Sequence, residues 1–151
     1  ICSFQPENHL GFGDHNDYIY NDKDGNPLPK KDGRDVRFEY KLFREYYFFY
    51  NCVGTKTEIQ NKNRKGNWKT QINADYITLN GCMRGTINSI TCGYYGYEQS
   101  YSETKTNKER LKKTIRDWGG IGCHYNIKIV NSNAHLKAAY QGKEVNKWYI
   151  F

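Results

Sequence analysis

The sequence predicts an α+β protein: antiparallel β-sheet, in one or two sheets, packed with one amphipathic helix near residues 105–118 and stabilised by disulfides. Three observations predict this class. Alternating aromatic and polar runs separated by turn residues are typical of antiparallel strands. One segment has apolar residues at helical spacing, and five cysteines are spread along the chain. The sequence shows no alternation of strands with helices, so no parallel sheet is predicted. The length of 151 residues fits a single domain, 1–151.

Most of the predicted strands precede the helix. The run 35–51, DVRFEYKLFREYYFFYN, begins with alternating apolar and polar residues, which is the pattern of a strand with one buried face. Turn chemistry is predicted at 21–27 and 65–67, and Asn80-Gly81 predicts a tight hairpin turn. The Gly- and Tyr-rich stretch 82–101 is expected to form irregular strands and a loop.

The helix is predicted from its start signal and its apolar stripe. Thr106 and Glu109 fit a capping box, in which each side chain satisfies a backbone N–H at the helix start. Leu111, Ile115 and Trp118 recur at i, i+4 and i+7, which places them on one face of a helix. Two glycines follow and predict its end.

A three-stranded meander is predicted to close the chain. Residues 125–130 alternate, residues 131–133 (Asn-Ser-Asn) predict a turn, and residues 136–140 predict the return strand. Gly142-Lys143 predicts a second turn, and residues 148–151 predict a terminal strand.

This closing stretch, YNIKIVNSNAHLKAAYQGKEVNKWYIF, resembles the last strands of the small fungal ribonucleases of the T1 type. Secreted effectors of plant-pathogenic fungi reuse that scaffold. The catalytic histidine that the resemblance implies falls near Tyr140 or Gln141, and neither side chain can act as the T1-type acid. The resemblance therefore implies the scaffold of a binding protein rather than a ribonuclease.

The cysteines predict an oxidising compartment. They are widely spaced and form no CxxC pair, so two disulfides and one remaining thiol are expected, with the pairing open. The opening Ile1-Cys2-Ser3-Phe4 has no initiator Met, which predicts a mature product whose leader has been removed. The disulfide candidates are Cys2, Cys52, Cys82, Cys92 and Cys123.

Charge and motifs narrow the classes of function. The net charge of +7 favours acidic partners such as nucleic acid or acidic glycans. No apolar run approaches the ~20 residues of a membrane helix, so no membrane span is expected. No phosphate-binding glycine motif is found, and no Cys/His cluster has zinc-ligand spacing. Neither a cofactor nor a metal is therefore expected.

Two surfaces are predicted to bind a partner. Aromatic rings beside cations are what single-strand nucleic-acid binders use for stacking and backbone contact. The first surface is the basic face of the predicted helix: Lys105, Lys108, Lys112, Lys113 and Arg116. The second is an aromatic loop before the helix: Tyr94, Tyr95, Tyr97 and Tyr101.

These features together predict a small secreted basic protein that acts by binding, as an effector or toxin does in virulence. Its expected partner is a macromolecule of another organism, first a protein, with nucleic acid or glycan as alternatives. The competing hypothesis is a secreted nuclease, with Glu39 or Glu45 and His124 as the acid–base pair. A third is a carbohydrate-binding module, because exposed Tyr and Trp rings suit the faces of sugars.

Overall fold

A computed structural model describes residues 15–47, 50–89, 93–119 and 125–150, and the regular secondary structure in these ranges is entirely antiparallel β-strand. The strands within these ranges are β1 (His15–Ile19), β2 (Val36–Tyr47), β3 (Tyr50–Lys62), β4 (Trp68–Lys69), β5 (Ala74–Ser89), β6 (Gly93–Lys108), β7 (Arg110–Gly119), β8 (Tyr125–Tyr140) and β9 (Lys143–Ile150). No helix occurs in the described ranges, and accordingly none there is long and apolar enough to cross a membrane.

The strands form two sheets. Sheet one has the order β1-β2-β3, and the far side of β3 pairs with both β7 and β4. Sheet two has the order β6-β5-β8-β9. The predicted antiparallel pairing is seen throughout, but the α+β class is wrong, because the described chain is all-β.

One apolar core lies between the two sheets. Its buried side chains come from both sheets and form a single cluster. In β2 the alternation supplies Val36, Phe38, Tyr40 and Leu42, which are at most 3% exposed. Side chains of a strand point to opposite faces in turn, so one face of each sheet enters the core. The fold is a β-sandwich.

The predicted helix over 105–118 is wrong. Its first part belongs to β6 and its second part to β7, and the chain crosses from sheet two to sheet one at a bend at Glu109. Asn107 has a φ of 53°, and the carbonyl of Glu109 accepts a hydrogen bond from the Ile59 N–H at 3.0 Å. The residues that looked like a capping box therefore form a corner between strands.

The spacing of Leu111 and Ile115 explains the error. A separation of four residues returns to the same face in a helix and also in a strand, so the pair fits both periods. Both residues are buried in the structure, at 0% and 3% exposure. The edge of β3 decides in favour of a strand over a helix. Strand β7 pairs with β3 from Tyr50 to Glu58 and satisfies backbone groups of β3 that would otherwise be unpaired.

Two predicted turns are also wrong. Asn80-Gly81 lies in the middle of β5, and residues 131–133 lie in the middle of β8. The closing meander is therefore one long hairpin, β8 and β9, joined at Gln141-Gly142, where both residues have positive φ. The predicted turn at 65–67 is confirmed.

The disulfide-stabilised fold is not what the described residues show. Only Cys52 and Cys82 of the five cysteines lie in the described ranges, and no disulfide joins them. The Cys52 thiol donates to Glu45 Oε2 at 3.5 Å. Cys2, Cys92 and Cys123 lie outside the described residues. Hydrogen-bonded pairing and the shared apolar core hold these strands together, and the predicted disulfide framework is not found between the cysteines of the described ranges.

Candidate functional site

The two lysines at the centre of the predicted basic face point in opposite directions. Lys112 lies on the outer face of sheet one, with Nζ 3.5 Å from Glu45 Oε1 and 4.8 Å from the centre of the Phe43 ring. Lys113 reaches across to sheet two, where its Nζ lies 3.4 Å from Glu103 Oε1. Neighbouring residues of a strand face opposite ways, so a strand cannot present both lysines on one surface.

The other three predicted cations are also separated. Lys105 and Lys108 are exposed on β6, an edge strand of sheet two. Arg116 lies in β7 of sheet one, where it pairs with Val53. The structure therefore does not bring the five cations to one face.

The predicted aromatic loop is part of strand β6, and its four tyrosines divide into two kinds. Tyr94 and Tyr95 are 67% and 49% exposed. Tyr97 and Tyr101 are 9% and 7% exposed and belong to the core. Only the first pair can contact a partner.

The buried pair of tyrosines packs on glycines of the neighbouring strand. Tyr97 lies directly opposite Gly85, and Tyr101 lies directly opposite Gly81. A Cβ at Gly81 would come within 2.6 Å of the Tyr101 hydroxyl oxygen. Tyr97 crosses β5 and donates a hydrogen bond to the carbonyl of Lys128 on β8 at 2.7 Å. These rings fit only because the two glycines have no side chains, so the role of Tyr97 and Tyr101 is structural.

The middle of the outer face of sheet two is polar and carries little charge in two adjacent rows of residues. On β5, Thr78 and Asn80 alternate with Ile77 and Leu79, which are fully buried, so the polar pair faces solvent. Thr78 and Asn80 each belong to a row of paired residues that runs across all four strands of the sheet. We call these eight residues the polar face: Thr104, Thr78, Lys137 and Asn146 in one row, and Ser102, Asn80, His135 and Trp148 in the next.

Trp148 forms a fixed aromatic platform at the edge of the polar face. Its side chain is 67% exposed, although β9 holds it directly opposite His135. The two rings stack at a centroid distance of 3.9 Å and are within 1° of parallel. His135 Nε2 is in turn 2.6 Å from Asn146 Oδ1. One face of the indole is therefore supported by the stacked imidazole, while most of the side chain is open to solvent.

The hydroxyl and amide groups beside the platform are ordered by cross-strand hydrogen bonds. Thr78 Oγ1 and Thr104 Oγ1 are 2.8 Å apart, and Ser102 Oγ donates to Asn80 Oδ1 at 2.6 Å. Each hydroxyl or amide has more donor and acceptor sites than one such bond uses. The polar face therefore presents oriented groups that can bind a ligand.

Charge is sparse on this surface. Lys137 is the one charged member of the eight residues at neutral pH, with the imidazole of His135 counted as neutral. A surface of this composition, with an exposed aromatic ring at its edge, is suited to an uncharged polar ligand with apolar patches.

The alternative acid–base pair is not assembled by the described residues. Glu45 accepts a hydrogen bond from the Cys52 thiol and lies near Lys112. Glu39 lies in β2, where Arg37 and Lys41 are its neighbours two residues away. His124 lies outside the described ranges. Within those ranges no three His, Cys, Asp or Glu side chains are grouped so as to hold a metal ion.

Comparisons of the chain with protein-family models, with curated proteins and with solved structures found no match.

Sequence reasoning placed Trp148 in a terminal strand but did not single it out. A signal was available, because a two-residue turn at Gln141-Gly142 fixes the register of the hairpin. Counting outward from Tyr140 and Lys143 puts His135 opposite Trp148. The predicted turn at 131–133 hid this pairing by breaking the strand in two.

Proposed function

We propose that this chain is a non-catalytic binding protein whose ligand is a carbohydrate, bound on the polar face of sheet two. The observation that carries the proposal is the Trp148 ring, which is 67% exposed yet held parallel to His135 at 3.9 Å. Large aromatic side chains left exposed at fixed positions are typical of binding surfaces, because they bring much apolar area at a low cost in conformational entropy.

The chemistry of a pyranose matches this surface in two ways. Its axial C–H groups form an apolar patch that stacks on the electron-rich face of an aromatic ring. Its hydroxyl groups exchange hydrogen bonds with side-chain hydroxyls and amides such as those of Ser102, Asn80 and Asn146. Both kinds of contact are available within two adjacent rows of the sheet.

The setting of this function is part of the proposal. We propose a secreted, effector-like protein that meets a glycan of another organism in a virulence-type interaction. This setting depends on sequence features alone, namely the size, the basic character and the absence of a catalytic motif. The carbohydrate ligand replaces protein as the first choice of partner, because the polar face carries three hydroxyl side chains and only one charged one.

A glycan array followed by calorimetry on the best oligosaccharide tests the proposal. Trp148→Ala is expected to weaken binding by about tenfold or more, which corresponds to about 1.4 kcal/mol. Tyr94→Ala is the matched control, because Tyr94 is equally exposed, at 67%, but lies outside the polar face. The affinity for a neutral glycan should change little with salt, since no phosphate or sulfate contacts contribute.

Two outcomes would contradict the proposal. Loss of binding in Tyr94→Ala with full binding in Trp148→Ala would move the site to the tyrosines of β6. Binding of RNA but of no glycan, with a steep dependence on salt, would support the nucleic-acid alternative instead.

A further inference from the structure

The positive charge of the chain is concentrated in two short segments. Residues 30–37 and 60–69 together contain eight Lys or Arg and two Asp, so they carry a net charge of +6 out of +7 for the whole chain. The two segments lie side by side, because β2 and β3 are paired from Val36 opposite Asn61. The cations are Lys30, Lys31, Arg34, Arg37, Lys62, Arg64, Lys65 and Lys69.

Part of this charge lines an open groove of about 500 Å³. We call it the basic groove. Four of its lining residues are the cations Arg34, Arg64, Lys65 and Lys69, and the other three carry side-chain amides. No carboxylate is among the lining residues.

The wall that presents Arg64 and Lys65 is held by a hydrogen-bonded turn. Asn63 Oδ1 accepts from the N–H groups of Lys65 and Asn67, both at 2.9 Å. The Asn63 carbonyl accepts from the N–H of Gly66 at 3.0 Å, and Gly66 has a φ of 83°, which glycine adopts without strain. The backbone beneath the two cations is therefore preorganised, which lowers the entropy cost of binding.

Arg34, another residue of the groove lining, is held through both its backbone and its side chain. Its N–H and carbonyl both pair with Lys31, at 2.9 and 3.0 Å. Its Nε donates to the Lys62 carbonyl at 2.8 Å, and one terminal nitrogen lies 3.8 Å from Asp32 Oδ2. The guanidinium is therefore fixed in orientation while its other terminal nitrogen remains available to an anion.

Among the described residues, Arg34 is the one groove cation with a carboxylate within ion-pair distance, at 3.8 Å from Asp32. Asp35 lies 3.8 Å from both Lys30 and Lys62, which are not part of the groove lining. In the described part of the chain, no carboxylate lies within ion-pair distance of Arg64, Lys65 or Lys69. Like charges held close together repel one another, and a bound anion relieves that repulsion.

The rings beside the groove help to choose between polyanions. Arg37 lies 4.1 Å from the centre of the Trp68 ring and 4.0 Å from the centre of the Tyr18 ring, and Lys62 lies 5.3 Å from Trp68. These cations cover at least one face of each ring, which leaves less ring surface on which a nucleic-acid base could stack. A ligand recognised by its charges, with sugar hydroxyls for the lining amides, fits better than one that depends on base stacking.

We infer that the basic groove is a second binding site, separate from the polar face, and that its ligand is a sulfated polysaccharide. Arg34, Arg64, Lys65 and Lys69 bind sulfate groups on successive sugars, and the amide side chains bind hydroxyls between them. The site lies on the loop end of sheet one, whereas the polar face is the outer surface of sheet two.

Heparin binding to the full chain, measured at several salt concentrations, tests the inference. The triple variant Arg64→Gln, Lys65→Gln, Lys69→Gln is expected to bind heparin at least about tenfold more weakly, with a shallower salt dependence because fewer counterions are released. The matched control is Lys105→Gln, Lys108→Gln, Lys147→Gln, which removes the same charge from exposed positions on sheet two. The control should retain most of its affinity.

Three results would overturn the inference. An equal loss of heparin affinity in the two triple variants would show that heparin binding depends on net charge alone. Equal binding of heparin and its desulfated form would exclude sulfate recognition. Tight binding of single-stranded RNA without binding of heparin would assign the groove to nucleic acid. Binding of a neutral glycan by the groove variant is a separate readout, so failure here leaves the proposal for the polar face standing.

Discussion

The ring of Tyr149 on β9 stacks on the ring of Tyr40 on β2, with centroids 4.1 Å apart and planes 6° from parallel. The contact joins the two sheets through the core, where Tyr40 is fully buried and Tyr149 is 8% exposed. The Tyr149 hydroxyl continues past the stack and donates to Asp17 Oδ2 on β1 at 2.6 Å. One side chain thus links three strands from both sheets.

Tyr149→Phe is expected to lower the free energy of unfolding by about 1–2 kcal/mol. The substitution retains the stack but removes the donor to Asp17, and hydrogen bonds to charged groups contribute more than neutral ones. Tyr149→Ala should cost about 3–5 kcal/mol, because the stack is lost as well. Urea unfolding measures both, and Tyr94→Phe on the exposed surface is the control that should change little. A loss in Tyr149→Phe as large as that in Tyr149→Ala would show that the ring itself contributes little.

Gly85→Ala is expected to destabilise the fold by about 2–4 kcal/mol. The new methyl group would overlap the Tyr97 hydroxyl and the Lys128 carbonyl, so both the ring and the backbone would have to shift. Gly96→Ala is the matched control, since the nearest atom to a Cβ there is the Gly85 carbonyl oxygen at 4.0 Å. Thermal unfolding should separate the two variants clearly. Similar stability in both would mean that Tyr97 does not pack over Gly85.

The buried tyrosines are expected to make the fold sensitive to alkali. Burial raises the pKa of Tyr101 to about 12 and raises the pKa values of Tyr40 and Tyr97 above their usual 10. In the unfolded chain these phenols ionise near pH 10, so the stability they contribute is complete below that pH and is lost as the pH rises above it. Each group should then remove about 1.4 kcal/mol per pH unit.

Tyrosinate absorbance followed together with circular dichroism from pH 9 to pH 12 checks this expectation. Part of the tyrosine titration should coincide with loss of the β-sheet signal. Smooth ionisation of all the tyrosines near pH 10, with the sheet signal intact, would contradict the burial of these hydroxyls.

Glu58 is expected to stabilise the protein at neutral pH and to lose this effect in acid. Burial pushes the pKa of its carboxyl upward, but hydrogen bonds from Lys56 and Thr70 and the charges of Lys56 and Arg110 outweigh it, so the pKa lies below the ordinary 4.5. A depressed pKa contributes stability that is present above the unfolded value and is lost as the pH falls through the folded one.

Glu58→Gln should therefore lower the free energy of unfolding by roughly 1–3 kcal/mol at pH 7. The gap from the original protein should narrow as the pH is lowered from 4.5 toward 2. Denaturant unfolding at a series of pH values measures it, with Asp24→Asn in an exposed turn as the control. A gap that stays constant with pH would show that the ion pairs around Glu58 are not responsible.

Strand patterns in the sequence were reliable where one face of a strand is buried in the core. Val36, Phe38, Tyr40 and Leu42 alternate in the sequence and enter the core in the structure. The pattern failed at Asn80-Gly81, which is a typical hairpin dipeptide. Gly81 serves a different need there, since the Tyr101 ring occupies the space of its missing side chain. A local turn preference cannot report a ring that arrives from another strand.

The sequence by itself determined the alternation of core and solvent residues in β2, the turn at 65–67 and the strong positive charge. These properties follow from local chemistry and composition. Tertiary structure alone decided that residues 110–119 are a strand, because the open edge of β3 offers backbone pairing that outweighs helix propensity. It also decided which cations share a surface: Lys112 and Lys113 were separated, whereas Arg34 and Arg64 were brought to one groove. Pairing between distant strands decides which residues become neighbours, and the spacing of residues in the sequence carries no information about that pairing.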